Sequence, residues 1–359
     1  MRLSTILAIH DTSPILYSES SKLQCSAMRI LLLAVCFFSL CFLLIYNSSE
    51  RENEPNAPGG TLIILETPTG TICGTLLEPE HMTKPVPVVL LLAGSGPTDR
   101  DGNQLPRLHI DNHRLIAEAL QEHGIASVRF DKRGVAASVA AGRTESELRF
   151  EHYVDDAVRW IDLLSQNDKF SKIIVLGHSE GSLIGMLACI QSEKADGFIS
   201  LAGPGRPIDE ILREQMARQP QSVRDAFFPI LDELKQGKTV ENVPAALLPL
   251  ARPSVQPYMI SWMKYDPRAE IQKLAIPVLI VQGTTDIQVS VADAENLAEA
   301  NPKAKKVIIR NMDHTLKVNS TTWAIFQQRS YVDPRRPLHA ELVPAIVEFI
   351  VGMPDTHGL

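Results

Sequence analysis

The sequence predicts an α/β fold, a doubly wound and mostly parallel sheet with helices on both faces. Strand-length apolar runs (Val86–Ala93, Ile125–Phe130, Lys172–Leu176, Gly197–Leu201, Pro277–Gln282, Lys306–Arg310) alternate with amphipathic helical stretches. Val86–Ala93 is apolar throughout rather than at every second position, as a strand covered on both faces requires. Such strand–helix alternation implies right-handed crossovers between parallel strands.

Taken in order, Thr61–Glu66 and Thr71–Leu77 flank Pro68-Thr69-Gly70 and read as an antiparallel hairpin at the N-terminal side of the sheet. After Val86–Ala93, a helix places Leu115, Ile116, Ala119 and Leu120 on one face and stops at Gly124. Phe150, Tyr153, Val154, Ala157, Ile161 and Leu164 recur at helical spacing, and further helices are expected over Ser182–Ile190, Val291–Ala300 and Val343–Val351. One stretch breaks the rhythm: between Pro204 and about Lys273 there is no strand signal. A first helix there carries Ile208, Ile211, Leu212 and Met216. A second opens at Ser222, with Asp225 three residues on as in a capping box. A helical lid over residues 205–273 is expected, within a domain spanning 61–352.

The chain has 359 residues, 45% apolar and 21% charged, with a formal net charge of −7. That length is ample for a large core, and the acidic balance points to neither nucleic acid nor an anionic surface as partner. Of five cysteines, only Cys73 and Cys189 lie in the body of the chain. No paired spacing suggests zinc, and both read as small buried hydrophobes. Residues 1–49 form an N-terminal region whose stretch 30–46 is almost wholly apolar. Lys22 and Arg29 precede that stretch, and Glu50, Glu52 and Glu54 follow in a linker over 50–60. The stretch is long for a signal peptide and close to the minimum for a membrane span, so an uncleaved anchor or signal sequence with the body outside the cytoplasm is expected. Met28-Arg29 would make a natural start for it.

The sharpest chemical signal is Gly177-His178-Ser179-Glu180-Gly181, where a strand turns directly into a helix. A serine there projects above the sheet, and side chains at the two flanking glycines would clash with the crossing elements. Serine is a weak nucleophile and needs an oriented base. His314 lies on a loop after Lys306–Arg310, at the carboxyl edge where sites of open sheets gather, whereas His339 and His357 follow no strand. Asp286 follows the buried run Val278–Gln282 and a glycine turn. Asp313 competes for the same role but is badly placed to accept from its neighbour's ring. His178 cannot point with Ser179 and is expected to line or brace the site. Oxyanion donors are expected at the Glu180 N–H and in Gly94-Ser95-Gly96-Pro97, at Ser95 N–H with Gly96 as the alternative. Asp99, Arg100, Asp101, Asp131 and Arg133 are read as an ion-pair network bracing the loops. Met259 and Trp262, with Tyr258 and Met263, would line an acyl pocket or else pack as helical core.

Together, Gly94–Asn103, Asp131-Lys132-Arg133-Gly134, the Ser179 elbow, Gln282–Asp286 and Asn311–His314 resemble the bacterial α/β-hydrolases grouped with serine aminopeptidases, lysophospholipases and carboxylesterases. The chain departs from that group at Ala136, where a glycine is usual. The resemblance implies the α/β-hydrolase fold, no cofactor and no metal, and a small acyl ester as substrate, cleaved through Ser179, His314 and Asp286. The alternatives are an aminopeptidase on short peptides and a non-catalytic binding protein of the same fold.

Overall fold

The computed structural model describes residues 60–354. The expected anchor (30–46), the start at Met28 and the linker up to residue 59 lie outside the described residues. Among the described residues no helix is long and apolar enough to cross a membrane.

Eight strands form one sheet in the order β1-β2-β4-β3-β5-β6-β7-β8. They are β1 (Thr61–Thr67), β2 (Gly70–Leu77), β3 (Val86–Leu92), β4 (Ala126–Phe130), β5 (Phe170–His178), β6 (Gly197–Leu201), β7 (Val278–Gly283) and β8 (Lys305–Ile309). β1 pairs with β2 and β2 with β4 antiparallel, and all other neighbours are parallel. The α/β-hydrolase fold expected from the sequence is present, hairpin included.

The apolar strands work on both faces. Val88, Leu90 and Leu92 of β3 join the core beneath α2 (Phe150–Ser165) and α3 (Glu180–Ser192). Val89 and Leu91 join the opposite core beneath α1 (Asn112–Glu122) and the terminal helix Leu342–Val351. This two-sided burial is why the strand lacks the alternation of a half-exposed one.

Between β6 and β7 lie α4 (Ile208–Met216), α5 (Gln221–Lys235), α6 (Leu248–Ala251), α7 (Gln256–Trp262) and α8 (Pro267–Ile271). They are continuous with the core of the α2/α3 face. Trp262 stacks on Phe150 of α2 at 5.6 Å and 7°, and Ser261 Oγ accepts the Phe150 N–H. The capping box expected at Ser222 does not form. Pro220 is the N-cap, two residues before Ser222, and Asp225 accepts from the Gln221 side chain instead. Pro220 cannot offer a side-chain acceptor, and Ser222 is already inside the first turn. Cys189 is buried, but Cys73 is only half-buried at the β2 edge of the core.

After β7 come α9 (Val291–Ala300), then past β8 α10 (Ala324–Val332) and α11 (Leu342–Val351). The sequence reading missed α10. Its polar Gln327 and Ser330 are buried while Ile325, Phe326 and Val332 are exposed, inverting the usual pattern. Gln327 Nε2 donates to the carbonyls of Thr285 and Thr321, which explains why a polar side chain faces inward.

Candidate active site

Ser179 sits between β5 and α3 with φ 56° and ψ −122°, a conformation costly to a residue with a side chain. It is held because nothing else fits. A Cβ on Gly177 would stand 2.1 Å from the Gly181 carbonyl oxygen, and one on Gly181 would stand 2.3 Å from that of Leu92. Close backbone crossings therefore demand both glycines. The Ser179 N–H donates to Leu201 O of β6, fixing the turn against the sheet.

His314 and Asp286 meet at the same edge. Asp286 Oδ2 lies 2.7 Å from His314 Nδ1, with the Asp286 side chain fully buried and the His314 side chain 7% exposed. The rest of the carboxylate is satisfied too. Oδ1 accepts the backbone N–H of Gln288 (2.8 Å) and Val289 (3.0 Å), and Oδ2 also accepts Gln282 Nε2 (3.1 Å). Both carboxylate oxygens therefore accept hydrogen bonds, which fixes the orientation of the side chain toward His314. The two loops are tied together by Thr285, whose N–H donates to Met312 O and whose hydroxyl donates to Asn319 O.

Asp313 is engaged elsewhere: its Oδ1 accepts the N–H and hydroxyl of Thr315 and closes the His314 loop. His178 turns away from Ser179 and donates from Nε2 to the His314 carbonyl at 2.9 Å, its ring 4.9 Å from that of His314. Burial, then the neighbouring His314 and His113, hold His178 well below the ordinary histidine range. Burial likewise takes His113 down to about 4. Both rings are therefore neutral near pH 7, His178 packing against His314 and His113 against His178. Among the described residues the Ser179 hydroxyl has no hydrogen-bond partner, so the serine-to-imidazole bond is not made here. Such bonds commonly tighten only when substrate binds.

Ser95 and Gly96 line a cavity of about 60 Å³, whose apolar walls include Leu212, Phe227, Val255, Met259 and Trp262. Met259 and Trp262 thus both line the pocket and pack in the core, which the sequence reading treated as alternatives. Carboxylates near this cavity are occupied. Glu145 accepts from Arg252 and Ser254, while Glu180 accepts from Lys132 and Tyr258. No group of acidic, histidine or cysteine side chains able to hold a metal occurs among the described residues.

The expected loop network is only partly a mutual one. Arg100 pairs with Asp131 and Arg129 with Asp101, but Arg133 pairs with Asp156 of α2 rather than with a neighbouring loop. Among the described residues Asp99 joins no ion pair; it accepts the backbone N–H of Asp101 and Asn103. Burial outweighs those bonds and pushes its carboxyl up to about 7. Ala136, where the resembled group usually carries glycine, has a left-handed backbone with φ 44°.

A family model described as "Serine aminopeptidase, S33" matches residues 108–318, more than half of the chain, and includes Ser179, Asp286 and His314. The esterase EstD of Thermotoga maritima is 27% identical over 261 residues. That match covers 70% of this chain, which spans only 60% of the length of EstD. Est1E from Butyrivibrio proteoclasticus superposes with a TM-score of 0.53 at 16% identity, covering 81% of this chain and 97% of that one. The 2,6-dihydroxy-pseudo-oxynicotine hydrolase gives 0.51 at 16% identity over 83% of this chain and 70% of that one. These structural likenesses concern the fold. The chain belongs to the serine aminopeptidase S33 family of α/β-hydrolases.

Proposed function

We propose that the chain is a serine hydrolase cleaving small carboxylic esters or thioesters through an acyl-enzyme. The observation that carries this is the buried Asp286–His314 hydrogen bond at the edge where the strained Ser179 turn stands. Asp286 orients the imidazole with Nδ1 protonated, leaving Nε2 free to take the Ser179 proton as Oγ attacks the acyl carbon. The charge developing on the carbonyl oxygen falls to the N–H groups of Ser95 and Glu180. The leaving alcohol or thiol then departs with the proton from His314. Water, activated by the same imidazole, releases the acid and restores Ser179.

An ester is favoured over a peptide because the cavity beside Ser95 is walled by apolar side chains. A peptide amino terminus would need a carboxylate with spare acceptor capacity, and Glu145 and Glu180 are already engaged. The family description and the EstD similarity keep both substrates in view. Met259 and Trp262 would contact the acyl chain, and helices α4 to α8 would form the lid. Residues 30–46 would hold the enzyme at a membrane, with the body outside the cytoplasm. Cell fractionation before and after deletion of 30–46 tests that placement.

The activity is tested by parallel turnover of p-nitrophenyl acyl esters and aminoacyl anilides. Esters are expected to react faster, with Ser179→Ala inactive and unlabelled by a fluorophosphonate. Faster anilide turnover would establish the aminopeptidase, and no labelling of the wild type would point to a binding protein.

A further inference from the structure

Lys132 follows β4 and is 3% exposed, yet its ammonium reaches three groups around the nucleophile. Its Nζ donates to the Gly94 carbonyl at 2.9 Å and to Glu180 Oε2 at 2.9 Å, and stands 4.1 Å from the centre of the Tyr153 ring. The other Glu180 oxygen accepts the hydroxyl of Tyr258, which lies on α7 and lines the cavity. Burial, then the Glu180 charge, hold the Tyr258 hydroxyl well above the usual range, so it stays a donor.

Gly94 O and Ser95 N–H belong to one planar trans peptide unit. They point in opposite directions and turn together. Holding the carbonyl from below therefore aims the N–H above, toward the position of a substrate oxygen. The same ammonium grips the side chain of Glu180, whose own N–H is the second candidate donor. Gln104 Nε2 anchors the next carbonyl, Ser95 O, at 2.7 Å.

We propose that Lys132 is a positioning residue, its ion pair with Glu180 and its bond to Gly94 O together aiming the Ser95 and Glu180 N–H groups at the reacting carbonyl. The inference rests on the serine-hydrolase reading above. A burial so complete is expensive for two charges and yields little net stability over an apolar pair. What the pair provides is fixed geometry. Misaimed donors stabilise the tetrahedral intermediate poorly while leaving the bound ester nearly unaffected.

The test uses Lys132→Met and the charge-neutral double variant Lys132→Met/Glu180→Gln, with p-nitrophenyl butyrate turnover normalised to the sites titrated by a fluorophosphonate. The expected result is a kcat lowered about 10- to 100-fold, less than the loss of a whole donor, with KM within about threefold. Inhibition by a trifluoromethyl ketone, whose serine adduct places an oxyanion in the same hole, should weaken by the same factor as kcat. The double variant gives the reading if the single one, left with an unpaired carboxylate, does not fold. A folded variant with kcat within about twofold of wild type would overturn the proposal, as would inhibitor affinity that fails to track kcat. Failure of both variants to fold would also overturn it, assigning the pair to the fold instead. A wild type that takes no fluorophosphonate label sinks the underlying hydrolase reading, whereas normal labelling with unaffected variants sinks only the role of Lys132.

Discussion

Replacing Asp286 with asparagine removes a charge but almost no volume, and the groups around the carboxylate make the outcome calculable. Oδ1 faces two backbone N–H groups, of Gln288 and Val289, and Oδ2 faces His314 Nδ1 and Gln282 Nε2. Every neighbour donates, so the new NH2 must confront a donor whichever way the amide is turned. The backbone N–H groups cannot adapt. The imidazole can, by moving its proton to Nε2 and accepting at Nδ1. The amide therefore settles with NH2 toward His314, and the ring loses the Nε2 lone pair that should receive the serine proton. Where this tautomer inversion occurs in serine proteases, kcat falls by about 10⁴. We expect about 10³–10⁴ here, which is about 4–5.5 kcal/mol of barrier at 1.36 kcal/mol per tenfold. Steady-state turnover of p-nitrophenyl butyrate should show that loss in kcat with KM nearly constant. A kcat within tenfold of wild type, or a defect confined to KM, would refute the role of Asp286.

Other perturbations follow from the same geometry. Ala136→Gly should raise stability by about 0.5–1 kcal/mol, since the alanine sits at φ 44° with its methyl exposed and nothing to lose by removal. A Tm increase of about 1–3 °C checks it, and an unchanged or lower Tm counts against a strained turn. Gly177→Ala places a Cβ 2.1 Å from the Gly181 carbonyl oxygen and 2.6 Å from Ser182 Cα, so it should cost about 3 kcal/mol or more and abolish turnover. Soluble, active protein would show that the elbow can relax. Asp99, raised from 3.8 to about 7, stays protonated in the folded chain at pH values where the unfolded chain has released its proton. Folding then binds a proton, and stability declines as pH rises from about 4 to about 7. Asp99→Asn keeps an acceptor oxygen for the Asp101 and Asn103 N–H groups. It should match wild type near pH 4 and melt a few degrees higher at pH 8, whereas parallel melting curves would discount the raised carboxyl.

Much of this molecule was written locally in the chain. The order of strands and helices follows from apolar runs and amphipathic spacing, because burial on one or two faces imposes its own period on any segment. The Ser179 turn is equally local. Two glycines four residues apart, at a strand–helix junction, encode a crossing too tight for side chains. His314 and Asp286 were readable because carboxyl ends of parallel strands share one edge, so position after a strand already implies proximity. The α10 helix escaped because its inward face is polar, turned to satisfy loop carbonyls rather than to bury carbon.

What tertiary structure alone decided is pairing between distant polar groups. Nothing near Lys132 in the chain reveals that it meets Glu180, 48 positions later, or that Tyr258 closes the same carboxylate from an inserted helix. Arg133 turning to Asp156, rather than to the loops beside it, is of the same kind. The physical reason is directionality. Apolar burial is averaged over area and leaves a periodic trace in sequence, whereas a buried ion pair is set by a single approach of two side chains across the fold. Sequence therefore determined the sheet, the elbow and the rim on which serine, histidine and aspartate stand. Only the packed structure determined which charges hold them in place.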